Sequence, residues 1–319
     1  MSIKVLSFGE VLIDFVVQGE RISWGIGGAP ANLAIIASKL NVESALISAF
    51  GDDYWGNEID SLLLDCGVQR QYVSKIKGAN TSLAFIFIDQ QGEQNEFLFY
   101  RDADTRIEAF PLALPNDADN NLFCFGSLSL ADERLIYVLD WYLDRLHRTA
   151  SLIIFDLNIR YSLWPNQHNL RQVLWKYISL ANIVKANLNE ARFLTEEKSV
   201  DRVAGKLWRE NMDLLLITLG KDGCFYKSGK NEGFVKGLNI DTRFGDAVGA
   251  GDAFLGTFCA GLCVQHKDLR NKHFLTDDNL IVLLSRSNAA GALTAAVRGA
   301  IPTSISWNDL DRLIDSDRM

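Results

Sequence analysis

Positive charge is scarce in this sequence. Its 319 residues carry 32 Lys and Arg against 40 Asp and Glu, which gives a formal net charge of −8. Such a balance argues against a nucleic acid or an anionic membrane as the partner. A protein with this charge that handles phosphate groups has to hold them locally, with backbone amides and a metal ion.

Motifs for disulfides and for metal binding are also missing. The five cysteines are odd in number, and neither a C-x-x-C nor an H-E-x-x-H motif occurs. We therefore expect reduced thiols and no metal ligation through Cys or His. The chain also lacks a run of about 18 apolar residues and a signal-peptide pattern at its start, which favours a cytoplasmic protein without a membrane span.

Several nucleotide-binding and catalytic signatures are absent. The Gly-Lys pairs at 205–206, 220–221 and 229–230 are not followed by Ser or Thr, so there is no P-loop. The glycines at 25–27 lack the third glycine of the dinucleotide fingerprint, which argues against a dinucleotide-dependent oxidoreductase. The signatures of protein kinases and the G-x-S-x-G turn of hydrolases are missing as well.

What the chain does have is an α/β pattern. Short apolar strands alternate with helical stretches from about residue 121 onward, which predicts a mostly parallel sheet flanked by helices. The predicted strands are Ile3–Leu6, Ala45–Phe50, Leu122–Phe125, Leu152–Phe155, Ile183–Lys185 and Leu214–Thr218. The predicted helices are Ala31–Leu40, Glu58–Cys66, Asp132–Leu146, Asn169–Leu180, Asn189–Thr195, Val200–Asn211, Ala253–Leu262 and Leu280–Val297.

Three segments have a different character and predict a second, smaller sheet. Ser82–Asp89 and Glu96–Arg101 interleave Phe and Ile with polar residues, and Gln90–Asn95 joins them as a hairpin loop. Together with the mixed extended stretch Asp14–Trp24 they would form a small antiparallel sheet. Because this sheet is not part of a strand–helix–strand unit, we expect it to stand apart from the main body.

Polar clusters follow four of the predicted strands directly. They are Gly126–Ser127, Asp156–Arg160, Lys185–Asn187 and Thr218–Gly220. Ligands of open α/β sheets bind beyond the carboxyl ends of the strands. We therefore expect these clusters to form one shared site at one edge of the sheet.

The segment G-D-A-V-G-A-G-D-A-F at residues 245–254 is the most informative in the chain. Small residues lead into an apolar helix, so the N–H groups of Gly249, Ala250 and Gly251 could bind an anion at the positive end of the helix dipole. Asp252 beside such a site suggests a base that takes a proton from a hydroxyl attacking phosphorus. Taken alone, the segment fits equally well a tightly packed helix start with a stabilising acid.

Two long signatures resemble those of the ribokinase-like sugar kinases, also called the phosphofructokinase B family. They are G-G-A-P-A-N-L-A at 27–34 and D-A-V-G-A-G-D-A-F at 246–254, with the N-x-x-E motif at 187–190 between them. The resemblance runs nearly end to end. It implies a single three-layer α/β domain over 1–319 with a β lid at about 14–25 and 82–101. It also implies transfer of a phosphoryl group from ATP to a sugar hydroxyl.

The same resemblance implies roles for individual residues. Asp252 matches the catalytic base, and Gly249, Ala250 and Gly251 match the anion hole. The ATP site corresponds to Lys185, Asn187, Thr218, Gly220, Gly223 and Asn288. Glu190, with Asn187, matches the pair that orders Mg²⁺ through water, although an N-cap with an acid in the first helical turn explains both residues equally simply.

A monovalent cation, K⁺ in many members, is implied for a further loop. The matching positions are Asp246, Val248, Thr294, Val297 and Gly299. Here Ala247 stands where the family usually has Thr, which removes a hydroxyl from this loop. The requirement for K⁺ therefore stays open.

The sugar contacts implied by the resemblance are Asp14, Gly28, Asn32, Arg101, Asp156, Asn158 and Arg160. The sequence is most similar to the fructokinase branch in three segments: Phe99–Arg101, Asp156–Arg160 and Leu163-Trp164-Pro165. It also resembles 2-keto-3-deoxygluconate kinases, in which Arg meets a carboxylate, and ribose or nucleoside kinases stand behind these two. A catalytically silent sugar-binding relative is a further alternative, and relatives that dimerise through the lid suggest a homodimer.

Overall fold

The structure is a computed structural model that describes residues 3–88, 94–108, 121–229, 231–240, 245, 248–265, 269, 275–297, 299–302 and 304–318. Its strands are, in chain order, Val5–Phe8 (β1), Leu12–Gln18 (β2), Arg21–Gly27 (β3), Ser44–Gly51 (β4), Val73–Ile76 (β5), Leu83–Ile88 (β6), Gln94–Tyr100 (β7), Leu122–Gly126 (β8), Leu152–Asp156 (β9), Ile183–Asn187 (β10), Leu214–Thr218 (β11), Gly223–Ser228 (β12) and Asn231–Lys236 (β13). Its helices are Ala29–Lys39 (α1), Tyr54–Asp65 (α2), Glu133–Leu146 (α3), Gln167–Ile178 (α4), Leu188–Thr195 (α5), Val200–Leu207 (α6), Ala250–Gln265 (α7), Asp277–Ala295 (α8) and Trp307–Arg318 (α9).

The main sheet follows the order β13-β12-β11-β10-β9-β8-β1-β4-β5 in the described part of the chain. All neighbouring pairs from β11 to β5 are parallel, and only β12 and β13 pair antiparallel at one end. The inner strands are buried along almost their whole length, which is why they read in the sequence as short apolar runs. The predicted mostly parallel sheet is confirmed.

Helices cover both faces of this sheet. One core cluster lies between the sheet and α3, α4, α5 and α6, and a second lies between the sheet and α1, α7, α8 and α9. A third cluster packs α1 and α2 against β4. The predicted three-layer arrangement is therefore present. Among the described residues, no helix combines the length and the apolar character that crossing a bilayer requires.

The second sheet follows the order β3-β2-β6-β7. Its β2–β3 and β6–β7 pairs are antiparallel, as predicted, and the β2–β6 pair that joins them is parallel. The extended stretch predicted at Asp14–Trp24 is two strands, because Gly19 adopts a positive φ of 60° and the chain turns back there. The predicted loop Gln90–Asn95 lies largely outside the described residues.

Two features of the fold place the candidate residues together. The parallel strands β1, β8, β9, β10 and β11 all end at one edge of the main sheet, and α7 begins at the same edge. Helices α1 and α7 pack closely there: a Cβ on Gly256 would lie 2.9 Å from Cβ of Ile36 and 3.0 Å from the carbonyl oxygen of Leu33. This close approach brings Asn32 and Asp252 to the same place.

Candidate active site

A cavity of about 330 Å³ lies between the carboxyl edge of the main sheet and the inner face of the small sheet. This volume is typical of a small-molecule site. Candidate residues from every part of the sequence line it: Asp14, Gly28, Asn32, Asn158, Arg160, Lys185, Asn187, Glu190, Thr218, Gly220, Val248, Gly249, Gly251 and Asp252. Three of the four polar clusters expected at the strand ends contribute to this cavity, whereas Gly126 and Ser127 do not line it.

The start of α7 forms one wall of the cavity. Gly249 has a φ of +74°, and a Cβ at this position would lie 2.4 Å from the carbonyl oxygen of Ala300, so only glycine fits. Ala250 and Gly251 are the first helical residues. Their N–H groups belong to the first turn of the helix, where backbone donors lack carbonyl partners and favour an anion.

Asp252 lies in the wall of the cavity, in the same first turn of α7. Its Oδ2 accepts a hydrogen bond of 2.8 Å from Nδ2 of Asn32, which belongs to α1. Oδ1 of Asn32 is buried and has no hydrogen-bond partner among the described residues. Burial raises the pKa of Asp252, whereas the Asn32 hydrogen bond acts in the opposite direction. The pair thus offers a carboxylate and an amide oxygen to a hydroxyl.

A buried ion pair stands opposite the start of α7. Nζ of Lys185 lies 3.0 Å from Oδ1 and 3.1 Å from Oδ2 of Asp156. Burial lowers the pKa of Lys185, but the nearby carboxylates of Asp156 and Glu190 raise it by more. The pKa of the lysine is therefore raised overall. Nζ also lies 3.0 Å from the point that a Cβ on Gly251 would occupy. A charged lysine therefore faces the helical amides.

Asn187 and Glu190 form a reciprocal capping box at the start of α5. The N–H of Glu190 donates to Oδ1 of Asn187 at 2.9 Å, and the N–H of Asn187 donates to Oε2 of Glu190 at 2.8 Å. Oε1 of Glu190 accepts a further bond of 2.9 Å from the N–H of Ile159. The structural explanation left open by the sequence is thus present, and it leaves the carboxylate rigidly held in the cavity wall. Within the described ranges, no three or more His, Cys, Asp or Glu side chains converge on a common metal position.

Some candidate residues lie outside the cavity lining. Arg101 donates to Oδ2 of Asp104 through Nε and Nη2, and to the carbonyl oxygen of Leu128 through Nη1. Asn288 donates to the carbonyl oxygens of Val235 and Lys236. Asp156 is paired with Lys185 and does not line the cavity itself. Ala250, Gly223, Thr294, Val297 and Gly299 also lie outside the lining, and Asp246 lies outside the described residues.

The cavity also contains residues that the sequence analysis did not name. Glu10 follows β1 at the carboxyl edge, and Phe97 and Phe99 come from the inner face of β7. The guanidinium of Arg160 lies 5.0 Å from the ring centre of Phe97. The alternation in β7 could have identified the two phenylalanines as one face, and the strand-end rule could have identified Glu10. Leu12, Ala29, Ile86 and Leu128 complete the lining.

An open α/β sheet, a glycine-rich helix start and a buried acid meeting at the strand ends make up the architecture of a small-molecule phosphotransferase. The comparison with known families makes this class specific. Residues 2–307 match the model of the pfkB family of carbohydrate kinases, and the chain belongs to that family. The resemblance inferred from the two glycine signatures is confirmed.

Individual relatives agree with this assignment. The chain is 35% identical over 309 residues to a probable fructokinase-3 of Arabidopsis thaliana, covering 93% of this chain and 87% of that protein. It is 34% identical over 322 residues to fructokinase-1 of Zea mays, covering 98% and 97%. The crystal structure of a fructokinase with bound ATP from Xylella fastidiosa superposes with a TM-score of 0.90 at 28% identity and covers 100% of both chains.

Proposed function

We propose that this protein is an ATP-dependent fructokinase that transfers the γ-phosphoryl group to a hydroxyl of the sugar. The observation that carries the proposal is Asp252, held by Asn32 beside the helical amides of Gly249–Gly251. A carboxylate at this position can take the proton of the attacking hydroxyl while the amides receive the negative charge of the transferred group. The names of the relatives support fructose as the acceptor.

The charges near the sugar end of the cavity favour a neutral sugar over a sugar acid. Arg101, which could have met a carboxylate, directs its donors to Asp104 and Leu128 instead. Its side chain is only 10% exposed, so this pairing is part of the protein interior. Among the described residues, Arg160 is the arginine that lines the cavity, where Nη1 donates to Oδ1 of Asn158 at 2.7 Å. We therefore rank 2-keto-3-deoxygluconate, and then ribose or a nucleoside, behind fructose.

Asp14, Gly28 and Asn32 are proposed to bind the sugar hydroxyls together with Asn158 and Arg160. A Cβ on Gly27 would lie 1.9 Å from Oδ2 of Asp14, so the carboxyl of Asp14 rests directly on the glycine backbone. This leaves the carboxyl a fixed position at the end of the cavity that is covered by the small sheet. Such fixed polar groups discriminate between acceptors, because a sugar without the matching hydroxyl leaves them unpaired.

ATP is proposed to lie along the other end of the cavity, near Thr218 and Gly220, with its phosphates between Lys185 and the start of α7. Asn187 and Glu190 are proposed to order Mg²⁺ through water, which suits an ion that keeps most of its waters. The bound metal would offset the charge of the phosphates. Asn288 and Gly223, which do not line the cavity, would act on the nucleotide only through the backbone of β12 and β13.

A monovalent cation site is proposed where two loops meet. A Cβ on Gly245 would lie 1.8 Å from the carbonyl oxygen of Ala295, so the loop before α7 is pressed against the end of α8. These two segments carry Val248, Thr294, Val297 and Gly299. Their carbonyl oxygens are of the kind that coordinates K⁺. The hydroxyl of Thr294 already donates to the carbonyl oxygen of Ala290 at 2.9 Å.

A panel of acceptors tests the proposed function. Fructose, 2-keto-3-deoxygluconate, ribose and adenosine are each supplied with ATP and Mg²⁺, and ADP formation is followed in a coupled assay with and without K⁺. We expect ADP formation that depends on fructose and stops when the metal is chelated. Activity with the sugar acid alone would reassign the acceptor, and no activity with any acceptor would leave a non-catalytic relative.

We further propose that the chain is one domain whose small sheet acts as a lid and forms a homodimer. The outer face of this sheet carries an apolar patch, which we define as Phe15, Ile22, Trp24, Phe85, Leu98 and Tyr100. Ile22 and Tyr100 are 64% and 59% exposed, and the rings of Phe15 and Phe85 stack at 5.0 Å. Apolar surface concentrated on one sheet face indicates an interface rather than scattered surface residues.

The five cysteines, all free thiols, support a cytoplasmic location.

The Ile22→Glu variant is expected to be monomeric where the wild-type protein is dimeric. A buried charge on the patch would cost several kcal/mol without a partner, which is enough to dissociate a modest interface. Sedimentation velocity measures the change. Tyr137→Glu serves as the control, because Tyr137 is 74% exposed on α3, away from the patch. A wild-type protein that sediments as a monomer at every concentration contradicts the dimer.

A further inference from the structure

Glu10 occupies an unusual position for an acid. It follows β1 at the carboxyl edge of the main sheet, lines the cavity and is only 4% exposed. Its Oε1 accepts a hydrogen bond of 3.2 Å from the N–H of Ala29, the first residue of α1. The sequence carries the acid between two apolar strands, where an unpartnered carboxylate would be costly to bury. Its place therefore calls for an explanation.

The glycine turn that begins α1 rests on Glu10. Gly28 has a φ of +102°, and a Cβ there would lie 2.5 Å from the carbonyl oxygen of Glu10. The backbone of Glu10 thus fixes the turn from one side, and its carboxyl holds Ala29 from another. One helical turn further on, Asn32 donates to Asp252. The position of the proposed base therefore depends on Glu10 through α1.

The second oxygen of Glu10, Oε2, is buried and accepts no hydrogen bond from the described residues. A buried acceptor in this state is destabilising until it gains a donor. The charged groups that act on Glu10 are Arg101, Asp104 and Arg160, of which Arg101 is already paired with Asp104. Burial, the largest effect, raises the pKa of Glu10 to about 7.

We infer that Glu10 positions the acceptor sugar: one oxygen holds the start of α1, and the other accepts a hydrogen bond from a sugar hydroxyl. A sugar hydroxyl in the cavity would supply the donor that the described protein atoms do not. The inference rests on the proposed function, since it requires a polyhydroxylated acceptor. It gives the cavity a second sugar-binding carboxyl besides Asp14, which reaches the sugar from the sheet edge rather than from the lid.

The Glu10→Gln variant separates the two roles of the side chain. Its amide oxygen can still accept from Ala29, whereas an NH₂ donor replaces Oε2 and can no longer accept from the sugar. We expect a melting temperature equal to or above that of the wild type, an unchanged KM for ATP, and a Kd and KM for fructose raised by about 10- to 100-fold, as for a lost hydrogen bond to a charged group. Glu43→Gln is the matched control, because Glu43 directly precedes β4 and pairs with Lys4 at the edge of the main sheet opposite the cavity.

Sugar binding is measured without ATP, by calorimetry between pH 6 and 8, and needs no turnover. An ionised carboxyl accepts a hydroxyl hydrogen bond better than a neutral one, so binding to the wild-type protein should tighten as the pH rises through about 7. Glu10→Gln should flatten this profile. If Glu10→Gln does not fold, the pH profile of the wild type is compared with that of Asp252→Asn: a profile that persists in this variant belongs to Glu10, and one that disappears overturns the inference.

The outcomes distinguish the inference from the proposed function. A variant that binds fructose as tightly as the wild type, with the same pH profile, overturns the role of Glu10 and leaves the kinase intact. A wild-type protein that binds fructose but does not phosphorylate it overturns the proposed function, while the effect of Glu10→Gln on binding still decides the inference. A wild-type protein that binds no sugar overturns both.

Discussion

Asp252→Asn protein is expected to fold normally and to lose about 10²- to 10⁴-fold in kcat for sugar phosphorylation, the contribution of a positioned base. The amide oxygen of the substituted side chain can still accept from Asn32, so the KM for sugar should change little. Burial raises the pKa of Asp252, so folding makes its ionised form less favourable than it is in the unfolded chain. Removing this charge should leave the melting temperature equal to or above that of the wild type.

The control for this variant is Asp201→Asn. Asp201 lies in the first turn of α6, as Asp252 lies in the first turn of α7, but it faces solvent away from the cavity. If the acid of α7 merely stabilised the helix, both substitutions would lower stability slightly and leave kcat unchanged. Near-normal turnover of Asp252→Asn in a steady-state coupled assay would refute the role of base.

Gly251→Ala is expected to lose about 10²- to 10³-fold in kcat without any loss of stability. The added methyl group would lie 3.0 Å from Nζ of Lys185, between the cation and the helical amides where the transferred phosphoryl group is proposed to sit. The methyl group would keep the phosphoryl group from the N–H of residue 251, and loss of one donor contact in such a charge-stabilising site typically costs this factor. Alanine favours the helix by roughly 0.5–1 kcal/mol over glycine, so thermal unfolding should occur at an equal or higher temperature.

Gly205→Ala is the matched control for this substitution. Gly205 lies within α6, and apart from its chain neighbours and the backbone of its own helix, no atom of the described residues lies within 4 Å of the point where its Cβ would be. We expect the control to gain a similar stability and to keep full activity. If Gly251→Ala retained wild-type kcat, the phosphoryl group would have to bind elsewhere, and the proposed arrangement of Lys185 and α7 would be wrong.

The inner strands could be predicted from the sequence because they are buried on both faces. Ile183–Lys185 was expected where β10 runs over Ile183–Asn187, and Leu214–Thr218 coincides with β11. Edge strands carry no such signal. β13, with the sequence N-E-G-F-V-K, buries only one of its side chains, and the sequence analysis did not identify it. The helix predicted over Val200–Asn211 ends at Leu207, because Trp208 leaves the helical conformation.

The candidate site was predictable where a residue type carries one dominant meaning. The glycines before α7 and Asp252 were named from their order alone, and they lie together. Arg101 shows a limit of this approach. Its ion pair with Asp104, three residues further on, could not be predicted, because the sequence does not reveal that both side chains are buried. Glu10 shows another limit: the residue that it contacts, Ala29, is 19 positions further along the chain, and no local pattern marks the pair.

The hydrogen bond between Asn32 and Asp252 also bears on what the protein does when no acceptor is present. The amide holds Oδ2 of Asp252 in the wall of the cavity, at the place where the acceptor sugar is proposed to bind. A water molecule that enters the cavity would lack the contacts with Asp14, Asn158 and Arg160 that are proposed to hold a sugar hydroxyl beside this carboxylate. Hydrolysis of ATP without sugar should therefore be slow, because the groups that recognise the acceptor are also those that position it for transfer.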